Sequence, residues 1–402
     1  MLTPEELLSI VETMQPILDA LNEWIISDMI RRFMARMIRH DDLNLAATDL
    51  WQIEVLRAAG AHLEDLQAEL IKFTGMVDEE IRAIFEDAGI RAYAADAKVF
   101  EAAGQAVLPL VQNERMISLL QDTYDRTKGT VHNFTRTTAK KSQQRLIQVL
   151  DEAHMKVNSG AASYTQVVKE AVEELAKTQA CVEYPSGHVD SVEVAVLRAV
   201  RTGTAQASGN MAVQGMKDHD WDIVLVSAHL GARYGDGGEN PGNHFWWQGK
   251  FYSRTGSTPG LPLFEKTTGY GTGEGLSGWN CRHSFGPGDG VHNPYKDFDA
   301  DENKKAYDLS QKQRAMERGI RKTKKTILAY RTAIDNCADE ETRKVLQGEY
   351  DKTAASLARQ NAAYNKFCKD NNLKRYDDRL SVAKWNRSEA AKATAAARRA
   401  SK

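Results

Sequence analysis

Between residues 217 and 297 the chain abandons helical periodicity, and this stretch holds over half of its 28 glycines and four of its seven tryptophans, Trp221, Trp246, Trp247 and Trp279. Glycine at that density sustains neither a helix nor a long strand, because each one adds backbone freedom that folding must remove. The tryptophans meanwhile supply the large apolar surface a compact core needs. The centre is therefore predicted to be a small core wrapped in loops, set between segments of regular structure. Within it, "WDIVLVSAH" is apolar on both faces from Ile223 to Val226, as a buried strand would be. "HFWWQGKFYS" predicts two short aromatic strands turning at Gln248 to Lys250.

Up to about residue 216 the text is helical. Thr3, Pro4 and Glu6 form a helix start, with an N-cap hydroxyl, a proline in the first turn and a capping-box carboxylate. Leu7, Val11, Met14, Leu18, Leu21 and Ile25 then lay one apolar stripe at spacings of three and four. Further helices are predicted over "ATDLWQIEVLRAAGAHLEDLQAELIKFTG", "VDEEIRAIFEDAGIRAY" and "AAGQAVLPLVQNERMISLLQDTYDRT", with Gly75 and Gly89 as stops. Two more fall near 138 to 157 and 164 to 178. After the break "EYPSGHVDS", Asp190 or Ser191 is positioned to cap a helix over about 192 to 216. Such a series suits an interaction scaffold better than a catalytic one.

From about residue 300 the chain is helical again and basic, with 25 Lys/Arg against 14 Asp/Glu after residue 300, although the net charge of the whole is only -2. The end, "SEAAKATAAARRASK", is small, basic and expected to fray. Lys392, Arg398, Arg399 and Lys402 are the candidates there for a nucleic-acid surface, while charge alone favours a solvated helix face. At 402 residues the expectation is two or three domains. The fold class predicted is α+β: a long, mainly helical N-terminal scaffold (1–190), a central domain with a leading helix and a small glycine- and aromatic-rich β core (191–297), and a basic helical C-terminal region (298–402).

No apolar run reaches the roughly 18 residues a membrane span requires, and "MLTPEELL" has acids where a signal peptide needs a basic start. Export and a membrane partner are not expected. Cys181, Cys281, Cys337 and Cys368 lack CxxC spacing, which fits a reducing compartment such as a cytoplasm and gives no disulfide framework.

The densest chemistry lies in "SGWNCRHSFGPGDG", residues 277 to 290, where Cys281, Arg282 and His283 are consecutive. Three readings compete. His229, His244, Cys281 and His283 form a ligand set whose imidazole and thiolate donors suit zinc, the one candidate cofactor, although the CxH spacing is tighter than in known zinc modules. Alternatively the thiol is a nucleophile, its pKa lowered by Arg282, with His229 or His283 as base. The third reading is a structural cluster. His229 and Arg233 then face Cys281, Arg282 and His283, Asn280 takes a left-handed turn position, and Trp279 buries its ring beside Trp246 or Trp247. Alternation along an extended segment puts Cys281 and His283 on one face and Arg282 on the other. "GEGLSG" matches a dinucleotide fingerprint in form only, since "NCRHSFGPG" cannot continue as the required helix and Glu274 would oppose phosphate.

"VSAHLGAR", "HFWWQGKFYS" and "GWNCRHSFGP" resemble the phage minor capsid protein 2 family, related to the Mu-type and SPP-type head morphogenesis proteins. "DLWQIEVLRAAG", "NFTRTTA", "VLRAVRTGTAQASGN" and "YDLSQKQRAMERGIRKTKK" extend the likeness over nearly the whole chain. The resemblance implies a low-copy virion protein of a tailed bacteriophage, made in the host cytoplasm and placed at the portal vertex or inner capsid face. It would assist head assembly, DNA packaging or ejection, with the portal protein, the major capsid protein and packaged double-stranded DNA as partners. Carried onto this sequence, the family's recurring positions are His229, Arg233, Gln248, Gly249, Asn280, Cys281, Arg282 and His283, which we expect to act as a structural clasp, with no catalytic residue. Two departures stand out: "ARYGDGGENPGNHFWW" carries an insertion before His244, and His283 replaces the second cysteine of an "NCRC" form. The rival readings are a zinc-dependent or cysteine-based enzyme carried in the virion and an interior DNA-binding protein.

Overall fold

In a computed structural model of the chain, residues 1–37, 48–177, 181–184 and 186–400 are described. In chain order the elements are α1 (Pro4–Ser9), α2 (Gln15–Arg36), α3 (Thr48–Ala102), α4 (Glu114–Asn158), α5 (Tyr164–Lys177), β1 (Cys181–Glu183), β2 (Val189–Ser191) and α6 (Val192–Asp218). There follow β3 (Ile223–Val226), α7 (His244–Trp247), β4 (Phe251–Ser253), α8 (Phe264–Thr268), β5 (Phe285–Pro287), α9 (Ala300–Asp335), α10 (Glu340–Asp370) and α11 (Arg387–Ala400). The class is α+β, dominated by long helices with small antiparallel sheets.

The first helix starts as its sequence dictates. The Thr3 backbone N–H donates to Glu6 Oε2 at 2.7 Å, and the Glu6 N–H donates to Thr3 Oγ1 at 3.2 Å. All six residues of the stripe from Leu7 to Ile25 are buried, although a 3-10 turn at Glu12–Met14 separates α1 from α2.

Gly75 and Gly89 do not end helices; α3 runs through both for 55 residues. A mid-helix glycine costs only about 1 kcal/mol relative to alanine, less than the apolar face of a long helix recovers by burial. At Gly89 a Cβ would lie 2.8 Å from a methyl of Leu120, so the glycine serves the packing. The helix stops instead at Gly104, whose φ is +81°. There the Gly104 N–H donates to the Glu101 carbonyl and that of Gln105 to the Phe100 carbonyl, the two bonds of a Schellman ending. "AAGQAVLP" is therefore a helix end and loop, and α4 begins only at Glu114, where Asn113 Oδ1 accepts the Met116 N–H. The helix predicted near 138 is the continuation of α4. Ser191 does cap α6, its hydroxyl accepting the Val194 N–H at 3.2 Å.

Packing gathers the chain into two compact units, each assembled from three separated segments. One comprises Met1–Gln15, Met76–Asn133 and Ala195–Gln311, and contains the sheet of order β4-β3-β5. Val224 sits opposite Tyr252 on one side and Pro287 on the other, and with Val226, Trp247, Phe264 and Phe285 it builds the core under which Phe100 and Met216 pack. The expected aromatic hairpin is corrected here: only Phe251–Ser253 is strand, and "HFWW" is the helical turn α7. Asn243 Oδ1 accepts the Trp246 N–H and so starts a helix, which places His244 and Trp247, three apart, on one buried face.

The other unit comprises Pro16–Gly75, Phe134–Val194 and Lys312–Lys402. It holds the β1–β2 ladder, with Cys181 opposite Ser191, and the helices α10 and α11 packed on one another. Part of the basic face of α9 is consumed inside it. Arg321 contacts Asp19 at 2.5 Å and Glu193 at 2.5 Å, and Lys325 reaches the same two carboxylates at 3.1 and 3.3 Å.

Candidate functional site

The corner around Cys281 is built where three loops meet beyond the ends of the β4-β3-β5 sheet. Past β3, pairing continues for one residue as the Ser227 N–H donates to the Ser284 carbonyl and the Ser284 N–H to Ser227 Oγ, which brings His229 beside His283. Gln248 follows α7 in extended conformation, and Gly249 turns with φ +66°, where a Cβ would come within 3.0 Å of the Ala228 Cβ. Asn280 takes the expected left-handed position, φ +57°. From there Cys281 and His283 point inward with exposures of 2% and 1%. Arg282 points the other way, its guanidinium donating to the Gly231 carbonyl at 3.3 Å.

Gln248 sets the proton arrangement. Its Oε1 accepts the His229 backbone N–H at 3.0 Å, which fixes the oxygen on that side, and His283 Nε2 lies 2.9 Å from the same oxygen. Nε2 must therefore carry the proton, leaving the lone pair of His283 on Nδ1, 3.7 Å from Cys281 Sγ. His244 Nε2 lies 2.8 Å from the Glu274 carbonyl, to which only an N–H can donate, so its lone pair is also on Nδ1. One ligand atom from each of His244, Cys281 and His283 lies within 4.8 Å of the others. His229, the fourth residue of the expected ligand set, is outside that group. It stacks on His283 with ring centroids 4.5 Å apart and directs Nδ1 to the Leu230 carbonyl.

Burial decides the electrostatics. Desolvation, aided by Arg282, lowers the His229 pKa to about 4, and desolvation lowers His244 to about 4. His283, the most enclosed, is held well below the usual imidazole range. All three rings are neutral near pH 7. Burial also pushes the Cys281 thiol up, against the opposing pull of hydrogen bonds and of Arg233 and Arg282. A thiol so placed is protonated and enclosed, the reverse of what a cysteine nucleophile requires.

Arg233 joins the corner through backbone oxygens, donating to the carbonyls of Trp279 at 2.6 Å and Glu274 at 3.4 Å. Trp279 itself departs from expectation: the residue is 62% exposed. Instead of burying beside Trp246 or Trp247, the Trp279 ring covers Gly273, while Trp247 packs edge-on to His283 at 4.9 Å. The glycines of "GEGLSG" serve close backbone contact. A Cβ on Gly275 would lie 2.3 Å from the Gly269 carbonyl oxygen and one on Gly278 2.4 Å from that of Gly273.

Two supports carry no sequence signal. Asn303, fully buried near the start of α9, accepts the Gly231 and Ala232 N–H groups at 2.8 and 2.9 Å and donates to the Ala232 carbonyl at 3.0 Å, pinning the "HLGAR" loop. The Glu274 carbonyl that orients His244 is backbone. The insertion before His244 is folded by its own side chains: Asp236 accepts from Gly238 and Asn240, and Asn243 donates to the Gly238 carbonyl.

The second unit contains an Asp28–His62–Ser142 relay, with His62 Nδ1 2.7 Å from Asp28 and Nε2 2.8 Å from the Ser142 hydroxyl. Its members come from α2, α3 and α4 and are buried, and backbone N–H groups inside helices are already bonded, so these helices offer no backbone donors for an oxyanion. It is a satisfied polar network in a helical core. Of the residues expected to face nucleic acid, Arg399 makes a two-bond contact with Asp351 at 2.7 and 2.9 Å and Lys392 binds Glu389 at 2.6 Å. Arg398 lies in the last turn of α11, and Lys402 lies outside the described residues.

Compared with known proteins, residues 2–364 match the family described as phage minor capsid protein 2. No curated protein matches the chain, and no solved structure does.

Proposed function

The chain belongs to the phage minor capsid protein 2 family and has a structural role in a phage head, and from that premise we propose that it docks at the portal vertex or the inner face of the shell. There it assists head assembly, DNA packaging or ejection through contacts with the portal and major capsid proteins. The observation that carries this reading is the family match across residues 2–364. The long helices supply scaffold, and the glycine-rich corner is a clasp: His229, Gln248, Cys281 and His283 contact one another, Arg233 and Arg282 donate to nearby backbone carbonyls, and Gly249 and Asn280 make the turns.

An enzymatic role finds little support in a corner whose thiol is 2% exposed and whose pKa is raised. A role as a DNA binder is weakened by the internal pairing of Arg321, Lys325, Lys392 and Arg399. The test is co-expression with the portal protein and, separately, with the major capsid protein of the same phage, followed by purification on a tagged chain. Retention of one of these at a fixed ratio through size exclusion is the expected result. Failure of both to be retained, together with DNA binding that weakens steeply with salt, would replace docking with the DNA reading.

A further inference from the structure

We propose that His244 Nδ1, Cys281 Sγ and His283 Nδ1 bind one zinc-class divalent transition-metal ion, with Gln248 and the Glu274 carbonyl orienting the two imidazoles. Two nitrogens and a thiolate are the donor set that zinc prefers over harder cations. The orientation of the two rings supports the same assignment. A ligating imidazole characteristically donates its other ring N–H to an oxygen, which fixes ring and tautomer. Both imidazoles do so here, through Nε2, at 2.9 Å to Gln248 Oε1 and 2.8 Å to the Glu274 carbonyl, so the lone pairs left for a metal are the two Nδ1.

In tetrahedral coordination at zinc bond lengths, ligand atoms lie about 3.4–3.6 Å from each other. The Cys281 Sγ to His283 Nδ1 distance is 3.7 Å, and the sulfur and one ring nitrogen of each histidine lie within 4.8 Å of one another, so small side-chain movements would close the group. All three ligands are at most 2% exposed, which makes the metal a staple for a loop-rich core. His229 is excluded from the ligands: it lies outside the group and acts through its stacked ring and its backbone N–H to Gln248. Among the described residues no fourth His, Cys, Asp or Glu joins the set, so the remaining position is assigned to water. On binding, the Cys281 S–H bond breaks, its proton leaves to solvent and the sulfur lone pair goes to the metal.

The experiment uses the full-length chain, expressed with added zinc chloride, desalted and analysed by inductively coupled plasma mass spectrometry. About one zinc per chain is expected, lost in Cys281→Ser and His283→Gln and retained in His229→Gln. Gln248→Ala keeps every ligand and should weaken zinc affinity by about 10- to 100-fold, the usual effect of removing an orienting partner. Cobalt(II) added to chelator-stripped protein should give a thiolate charge-transfer band, absent in Cys281→Ser. Where a ligand variant fails to fold, the wild-type stoichiometry, the cobalt band and Gln248→Ala still decide the matter. A folded wild type that takes up neither stoichiometric zinc nor cobalt overturns the proposal, as does full zinc occupancy in Cys281→Ser. Either result leaves the proposed head role standing, since that rests on the family match.

Discussion

Replacing Asn303 by leucine tests whether the "HLGAR" loop is held from outside itself. Leucine is close in shape, but it removes an oxygen accepting two backbone N–H groups, at 2.8 and 2.9 Å, and a nitrogen donating to the Ala232 carbonyl at 3.0 Å, at a fully buried position. Three backbone groups lose their partner. An orphaned buried polar group costs about 1–3 kcal/mol, and partial access of water to the loosened loop brings the sum toward the lower end, about 3–5 kcal/mol. That is a large share of the roughly 5–15 kcal/mol that stabilises an ordinary domain. Urea unfolding followed by tryptophan fluorescence suits the question, because four of the seven tryptophans lie between residues 217 and 297. Asn303→Asp keeps an oxygen to accept both N–H groups but sets a carboxylate oxygen against the Ala232 carbonyl, so its loss should shrink as pH falls and the protonated carboxyl can donate there. If Asn303→Leu unfolds within about 0.5 kcal/mol of wild type, the loop is not anchored by that side chain.

Other perturbations have definite signs. Gly249→Ala should destabilise by at least about 1–2 kcal/mol in the same unfolding assay, because φ is +66° and the new methyl would meet Ala228 at 3.0 Å, whereas Gly249→Asn should lose less in the backbone contribution. Arg321→Met leaves Asp19 and Glu193 with Lys325 as their remaining cation in that network and should cost about 3–5 kcal/mol by denaturant titration. For Asp222, burial alone would raise the carboxyl pKa, but hydrogen bonds from Ser253, Thr255 and Thr258 hold it far below the ordinary range. Its stabilisation is complete above the unfolded value near 3.8 and is lost as pH falls below that, so Asp222→Asn should flatten the acid limb of a melting-temperature profile below about pH 4.

How much of this was legible in the sequence depended on how local each cause is. The Thr3 cap and the stripe from Leu7 to Ile25 are local in period, and both hold. Strict alternation places Cys281 and His283 together and Arg282 apart without any tertiary knowledge. Gly75 and Gly89 misled because a glycine stops a helix only where the next residues can build the ending, as "AAGQ" at Gly104 does. "HFWW" reads as strand by composition, and one upstream side chain, Asn243, makes it a helical turn. Trp279 was expected inside because it is aromatic, but its ring lies over Gly273 at the surface, a backbone contact that composition does not encode. Asn303 and the Glu274 carbonyl were out of reach: one acts on residues 71 positions away, and the other is a backbone atom that any residue would supply.

A chain with a structural role in a phage head should be resident in the finished particle. Asymmetric reconstruction of the portal vertex from purified intact particles, read alongside quantitative mass spectrometry of the same particles, addresses it directly. A low, fixed number of copies per head is expected, with rod-like density matching α3 and α4 against the portal or the inner shell. Particles that are complete and infectious yet contain none of the chain, while infected cells contain it in quantity, would contradict it.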